Sequence, residues 1–236
     1  MRSGLAEALA RADLALARSG VWWNAAERAA IVRETAAAAH CPLCARRRAA
    51  PIPQAVEGEH LSATDLPTAA IEAIHRIATD SGRLSRAWYR RTIESGLAEE
   101  AYVELVSVVA LATARATFAR ALDRPLAEIR PADSREPSRR RPAGAKSGLG
   151  WMPMLAPEDV APEDPPLYMT GNRIGGNVHR ALSLVPEAMM QFWDVFEELY
   201  LPQAAMRDFG REYRAIDHAQ IEMLAARVAV LNACEY

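Results

Sequence analysis

Apolar and polar residues follow one another along most of this chain with the period of an α-helix. In the first half this pattern predicts five helices, at 4–19, 24–40, 66–79, 84–94 and 99–122. Asn24 precedes the second of them and Glu27 follows three residues later, which is the pattern of a capping box. No segment shows sustained strand alternation between turn signals, so the sequence predicts an all-α fold.

The helical pattern stops at Arg124 and does not resume until about residue 170. Residues 124–168 hold most of the prolines and a cluster of three arginines, which indicates a linker or an irregular arm. Trp151 near its end makes the arm apolar enough to pack on the body or on another subunit. Helical patterns then return at 172–184, 187–200, 203–213 and 219–232. The predicted division of the chain is 1–128, 129–168 and 169–236.

Composition and charge exclude several classes of function. The net charge of −2 points neither to nucleic acid nor to an anionic membrane, and we interpret the arginine cluster at 139–141 as a solvated run. No segment reaches the roughly 18 uncharged apolar residues of a membrane span. Residues 1–20 carry charges throughout and do not resemble a signal peptide. The sequence therefore predicts a cytoplasmic protein with no membrane or nucleic-acid partner.

The strongest local signal for chemistry is the pair Cys41 and Cys44. In a reducing compartment a close cysteine pair indicates redox activity or metal binding more than a structural disulfide. Pro42 interrupts the second helix and suits the first turn of the next one, which places Cys41 near its N-cap. Unpaired backbone amides and the helix dipole stabilise a thiolate at such a position. We therefore expect the two sulfurs to lie within reach of one another.

The residues alone leave two other interpretations of this pair open. Both cysteines behave as small apolar side chains when they are buried. A zinc site needs four ligands, and His40 and His60 are candidates for the other two. A histidine directly next to a ligand cysteine is geometrically awkward, so the sequence analysis predicts neither a metal nor a cofactor.

The C-terminal segment 217–236 resembles the core motif of the alkylhydroperoxidase D-like and carboxymuconolactone decarboxylase superfamily. The matching residues are Glu222, Leu231, Asn232 and Cys234. Upstream, 177–186 looks like the lead-in segment of the family, and a looser resemblance extends over 22–128. The resemblance implies a helical bundle of two tandem repeats, with the first in 1–128 and an incomplete second in 169–236.

The same resemblance implies roles for the cysteines. In this family the second cysteine of a CxxC pair attacks the peroxide and the first resolves the intermediate as a disulfide, while a glutamate and a histidine move protons. Cys234 matches the resolving cysteine and Glu222 the relay glutamate. The attacking residue would stand at position 237. One hypothesis is a selenocysteine codon at that position, and the alternatives are an accidental truncation and a decayed copy of the motif.

The N-terminal pair departs from the family pattern. Ala29 and Arg48 occupy the positions that correspond to the relay glutamate and histidine. Three other residues are candidates to replace them, namely Glu27, His40 and Glu34.

The resemblance implies a thiol-dependent peroxidase that reduces hydrogen peroxide or organic peroxides in antioxidant defence. An external thiol would be the reductant, no cofactor is needed, and a homo-oligomer (trimer or hexamer) is expected. The expected catalytic residues are Glu222, Cys234, Cys41 and Cys44, with His40 and His218 as candidate proton relays. His75 and His179 are interpreted as packed histidines. The alternatives are a decarboxylase of the carboxymuconolactone type and a non-catalytic helical oligomerising protein.

Overall fold

The structure, a computed structural model, describes residues 2–148, 150–168, 176–202 and 205–234. Within these ranges the chain forms helices and no strand, with one isolated β-bridge between Lys146 and Met154, so the all-α prediction is confirmed. The described α-helices are Ser3–Leu16 (α1), Ala25–Ala38 (α2), Pro42–Ala49 (α3), Thr68–Asp80 (α4), Arg86–Glu94 (α5), Glu99–Ala121 (α6), Asn177–Arg180 (α7), Pro186–Leu199 (α8) and His218–Leu231 (α9).

Two local features predicted from the first half of the sequence are confirmed by the structure. The backbone N–H of Glu27 donates to Asn24 Oδ1 at 2.9 Å, and the Asn24 N–H donates to Glu27 Oε2 at 2.8 Å. This completes the predicted capping box at the start of α2. Pro42 is the first residue of α3 and Cys41 is its N-cap, as expected from a proline that ends one helix and begins the next.

Two predicted helices in the second half are wrong in extent. In the described part of 172–184, α7 covers only Asn177–Arg180 and turns follow, while 172–175 lie outside the described residues. Pro186 disfavours helical geometry at the preceding residue, and Val185 has the non-helical angles φ −126° and ψ 87°. The hydroxyl of Ser183 also accepts a hydrogen bond from the backbone N–H of Leu155 at 2.8 Å, which ties this turn to the arm.

The predicted helix at 203–213 is reduced to a 3-10 turn at Ala205–Arg207, and 203–204 lie outside the described residues. The Asp208 carboxylate accepts hydrogen bonds from the Gly210 N–H at 3.2 Å and the Tyr213 hydroxyl at 2.6 Å. Such local side-chain bonds compete with helical hydrogen bonding, which explains the irregular backbone.

The core is built around α6. Helix α2 packs against α4 and α6, and α8 packs against α1 and α6, so segments from both sides of the arm share one core. Helix α6 has the length and composition of a membrane span, but 61% of its most apolar window is buried inside the protein. It is a core helix.

A buried ion pair holds three helices together. Arg28 on α2 and Glu104 on α6 form this pair, and their side chains are only 2% and 1% exposed. Glu104 also accepts the backbone N–H groups of Val21 at 3.0 Å and Trp22 at 2.7 Å. The second terminal nitrogen of Arg28 donates to Gln191 on α8 at 3.0 Å. These bonds satisfy charges that would be costly to bury alone.

The arm that follows α6 packs on the body, as one of the two sequence-based alternatives proposed. Its Ala132 N–H donates to the carbonyl of Ala17 at 2.7 Å, and its Leu155 side chain is fully buried. Arg140 of the predicted arginine cluster forms an ion pair with Asp164 at 2.7 Å. Part of the positive charge of that cluster is therefore neutralised within the chain.

The apolar side chains along α9 lie largely on the surface. Ile221 is buried, whereas Leu224, Val228 and Leu231 are 58%, 57% and 68% exposed. The helical periodicity of α9 is therefore real, but most of its apolar face is exposed in the described part of the chain.

Candidate active site

Four side chains converge where α3 meets α4. Cys41, Cys44, His60 and His75 each direct one sulfur or nitrogen atom to a common centre, and these atoms all lie within 4.8 Å of one another. His60 Nδ1 is 3.5 Å from each sulfur, and His75 Nδ1 is 3.2 Å from the Cys44 sulfur. We refer to these four residues as the Cys2His2 cluster.

Local structure explains how the cluster is assembled. As N-cap and third residue of α3, Cys41 and Cys44 both project from the start of that helix. His60 lies in the loop between α3 and α4, and the neighbouring Leu61 N–H lies 3.4 Å from the Cys41 sulfur. His75 lies on the buried face of α4. The position of each of the four side chains therefore depends on how α3, the loop and α4 pack against one another.

A buried carboxylate holds His75. His75 Nε2 donates to Glu34 Oε1 at 2.7 Å, and both side chains are 0% exposed. The other oxygen of Glu34 accepts the Ser62 hydroxyl at 3.1 Å, the Ala63 N–H at 3.0 Å and the Thr64 hydroxyl at 2.7 Å. Burial raises the pKa of Glu34, but these hydrogen bonds outweigh it and lower the pKa. Glu34 is thus an ionised partner that fixes the orientation of His75.

A second carboxylate holds His60 in the same way. His60 Nε2 lies 2.8 Å from Glu72 Oε2, which also accepts a hydrogen bond from Arg47 at 2.8 Å. The other oxygen of Glu72 accepts the indole N–H of Trp88 at 3.0 Å. Burial raises the pKa of Glu72, but hydrogen bonds from His60, Arg47 and Trp88 lower it to about 2. Both histidines therefore present Nδ1 to the sulfurs and Nε2 to a carboxylate.

The surroundings favour a thiolate at Cys44. Burial raises the pKa of its thiol, but hydrogen bonds with His60, His75 and Thr79 lower it to about 6. Burial lowers the pKa of His60, but hydrogen bonds with Cys44, Glu72 and Cys41 raise it to about 10. A thiolate beside a protonated imidazole is the reactive form of a cysteine.

The two sulfurs are shielded from solvent. Cys41 and Cys44 are 1% and 4% exposed. A surface cavity of about 320 Å³ lies on the outer side of Glu72, and its wall includes Arg47 and Trp88. The two sulfurs are therefore almost inaccessible to solvent while the surrounding helices stay packed.

The structure brings together part of the predicted site. Cys41 and Cys44 lie in the cluster, and Glu34 is the one of the three proposed replacement residues that reaches it. Glu27 is engaged in the capping box of α2. His40, considered from the sequence beside His60 as a candidate ligand, is exposed and lies outside the cluster. His75 takes that position because α4 folds back over the start of α3.

The residues predicted from the C-terminal motif lie elsewhere. Glu222 is exposed near the start of α9 and accepts a hydrogen bond from the Tyr200 hydroxyl at 2.5 Å. Cys234 is exposed beyond the other end of that helix. His218 is hydrogen-bonded to Glu212 at 2.9 Å. The structure brings none of these three predicted residues into the cluster, and their catalytic roles stay predictions.

Glu72 was not predicted from the sequence, and His75 was interpreted only as a packed histidine. His75 is packed and hydrogen-bonded as predicted, but its partners are the Cys44 sulfur and Glu34. The usable signal was the spacing of Glu72 and His75, which share one face of a predicted helix three residues apart. A second signal was that His60 and His75 both follow the CxxC pair in a chain with only 5 histidines.

Comparison of the chain with protein-family models, with curated proteins and with solved structures finds no match. The geometry of the Cys2His2 cluster is therefore the main indication of function.

Proposed function

We propose that this chain is a thiol peroxidase that reduces small peroxides at Cys44 and uses Cys41 as the resolving thiol. The observation that carries the proposal is the position of the Cys44 sulfur beside two imidazoles. Each Nδ1 atom is within 3.5 Å of it, and each Nε2 atom is held by a carboxylate. Such an arrangement keeps a nucleophilic thiolate next to proton donors.

In the first step the Cys44 thiolate attacks one oxygen of the peroxide and the O–O bond breaks. Cys44 becomes a sulfenic acid, and the departing oxygen takes a proton from His75 or His60 to leave as water or an alcohol. The sulfur is oxidised by two electrons and the peroxide is reduced by two.

In the second step the Cys41 thiol attacks the Cys44 sulfur. A disulfide forms, and the sulfenic hydroxyl leaves as water with the thiol proton. An external thiol then reduces the disulfide to the starting dithiol. This step requires the two sulfurs to be close, which the CxxC spacing at the start of α3 provides.

The other residues of the site act through the histidines. Glu34 and Glu72 are positioning residues that fix the rings and favour their protonated forms. The burial of both sulfurs favours hydrogen peroxide or a short alkyl peroxide over a bulky substrate. A reducing compartment such as the cytoplasm would supply the thiol reductant.

The test is peroxide consumption by reduced, metal-free protein with excess external dithiol. We expect Cys44→Ser to lose turnover entirely. Cys41→Ser is expected to form a sulfenic acid that a sulfenate-specific probe traps, without the disulfide. A wild-type rate no higher than that of the external dithiol alone would reject the proposal.

A further variant separates the two cysteine sites of this chain. If Cys44→Ser stays fully active and Cys234→Ser is inactive, the chemistry belongs to the C-terminal motif and the assignment to Cys44 is wrong. If turnover depends on Cys44 and not on Cys234, the N-terminal site is supported.

A further inference from the structure

We propose that the Cys2His2 cluster binds one zinc ion through all four of its side chains. The donor set is two sulfurs and two imidazole nitrogens, whose atoms lie within 4.8 Å of one another. Two cysteines and two histidines form one of the usual ligand sets of four-coordinate zinc sites.

The distances within the cluster match such an ion. With Zn–S bonds of about 2.3 Å and Zn–N bonds of about 2.0–2.1 Å, tetrahedral geometry places sulfur and nitrogen ligands about 3.6 Å apart. His60 Nδ1 is 3.5 Å from both sulfurs, and His75 Nδ1 is 3.2 Å from the Cys44 sulfur. A single ion therefore fits between these atoms with small movements of the side chains.

The outer partners of the histidines are those that a metal site requires. A histidine that binds a metal through one nitrogen commonly donates its other N–H to a carboxylate, which fixes the tautomer and the ring orientation. Glu34 and Glu72 accept from His75 and His60 at 2.7 and 2.8 Å. The lone pairs of both Nδ1 atoms then point toward the sulfurs.

The chemistry of the donors selects the metal. Thiolate and imidazole ligands suit zinc, whereas magnesium and calcium prefer oxygen ligands. Two thiolates balance the double positive charge of the ion, and the cluster is closed by four protein ligands from α3, the following loop and α4. A site of this kind stabilises the packing of those three segments.

Zinc binding and peroxide reduction exclude one another, because both use the same sulfurs; this consequence rests on the proposed function. One hydrogen peroxide and two protons would convert the zinc-bound dithiolate into a disulfide, free Zn²⁺ and two molecules of water. The two thiolates lose one electron each and the peroxide gains both. Zinc would thus protect the dithiol, and oxidation would release the ion.

The experiment begins with reduced, metal-free protein. Zn²⁺ is titrated against a chromophoric chelator, and Co²⁺ is used as a spectroscopic probe. We expect one equivalent to bind, with intense visible bands of tetrahedral Co²⁺ and thiolate-to-cobalt charge-transfer absorption. No stoichiometric binding, or the weak spectrum of octahedral Co²⁺, would overturn the inference.

Variants assign the ligands and the positioning carboxylates. Cys44→Ser and His75→Gln are expected to abolish the cobalt charge-transfer band or change its intensity. Glu72→Gln is expected to weaken zinc binding by about 10- to 100-fold while keeping a tetrahedral spectrum. Glu94→Gln, at an exposed position on α5, is the matched control and is expected to bind like wild type. Zinc affinity of Glu72→Gln equal to that of this control would contradict the positioning role.

The two proposals fail in different ways. Zinc-free protein that reduces peroxide but binds no zinc overturns this inference and leaves the peroxidase intact. Protein that binds one zinc but consumes no peroxide when zinc-free supports the metal site and overturns the peroxidase. Far-UV circular dichroism of each variant separates loss of a ligand from loss of the fold.

Discussion

The Cys44 sulfur is subject to two opposing effects. Its burial disfavours the charged form and raises the pKa of the thiol, whereas His60 and His75 stabilise the thiolate. The hydrogen bonds prevail because both imidazoles are held by carboxylates. Burial lowers the pKa of His60 and His75, but hydrogen bonds with Cys44 and the carboxylates raise it. The reactivity of Cys44 therefore depends also on Glu34 and Glu72, which bind the histidines rather than the sulfur.

We predict that Cys44 reacts with a small alkylating agent as a thiolate down to a pH of about 6. Because the pKa of the Cys44 thiol is lower than that of an ordinary cysteine, the thiolate persists as the pH falls and is lost only near pH 6. The rate is measured against pH on metal-free protein that carries Cys41→Ser and Cys234→Ser. His75→Gln is expected to move the midpoint upward. A midpoint near pH 9 in the protein that retains His75 would contradict the prediction.

At the scale of elements, α2 links a local signal to the site. The helix begins at the Asn24 capping box and carries Glu34 in its C-terminal half. The cap acts at one end and the site lies at the other, so the two are separable by mutation. Helix α3 works differently, because its first turn itself supplies both sulfurs.

We predict that Asn24→Ala lowers the free energy of unfolding by about 1 kcal/mol, because the amide of Glu27 loses its partner. Urea denaturation measures the change. Arg33→Ala, at an exposed position on the same helix, is the control and is expected to change stability by less than about 0.5 kcal/mol. Equal effects of the two substitutions would show that the cap contributes nothing.

At the scale of the whole molecule, the pair of Arg28 and Glu104 fixes how the helices meet. It joins α2 to α6, and Arg28 reaches α8 beyond the arm. Gly20 packs directly against the pair, and a Cβ atom there would overlap Glu104 Oε1 and Arg28 Nη1. The turn between α1 and α2 is thus shaped to approach buried charges closely.

Removal of one charge from this pair is expected to be costly. We predict that Glu104→Gln destabilises the protein by about 3 kcal/mol, because Arg28 stays buried without a counter-charge. The midpoint of urea denaturation measures this effect. Glu94→Gln changes an exposed carboxylate and is expected to have almost no effect. A loss of less than about 1 kcal/mol at position 104 would mean that the pair is easily replaced.

The oligomeric state remains a prediction. Most apolar side chains of α9 are exposed, and a surface of this kind favours association. The residues concerned are Met223, Leu224, Val228, Val230 and Leu231. We expect sedimentation velocity to show a homo-oligomer, a trimer or a hexamer, at micromolar concentration. A monomer across the full concentration range would contradict this.

Sequence and structure agree best where interactions are local. The capping box at Asn24, the break at Pro42 and the arm after Arg124 depend on neighbouring residues, and all three were predictable. The helices predicted at 172–184 and 203–213 are mostly not formed in the described part of these ranges, because contacts of Ser183 and Asp208 replace helical hydrogen bonds there.

The sequence by itself determined the all-α class and placed Cys41 and Cys44 at the start of a helix, because helix periodicity and proline geometry act over a few residues. Only the tertiary structure selected His60 and His75 as their partners and rejected the adjacent His40. These side chains meet because α4 packs on α2 and α3, and that packing depends on burial summed over the whole core.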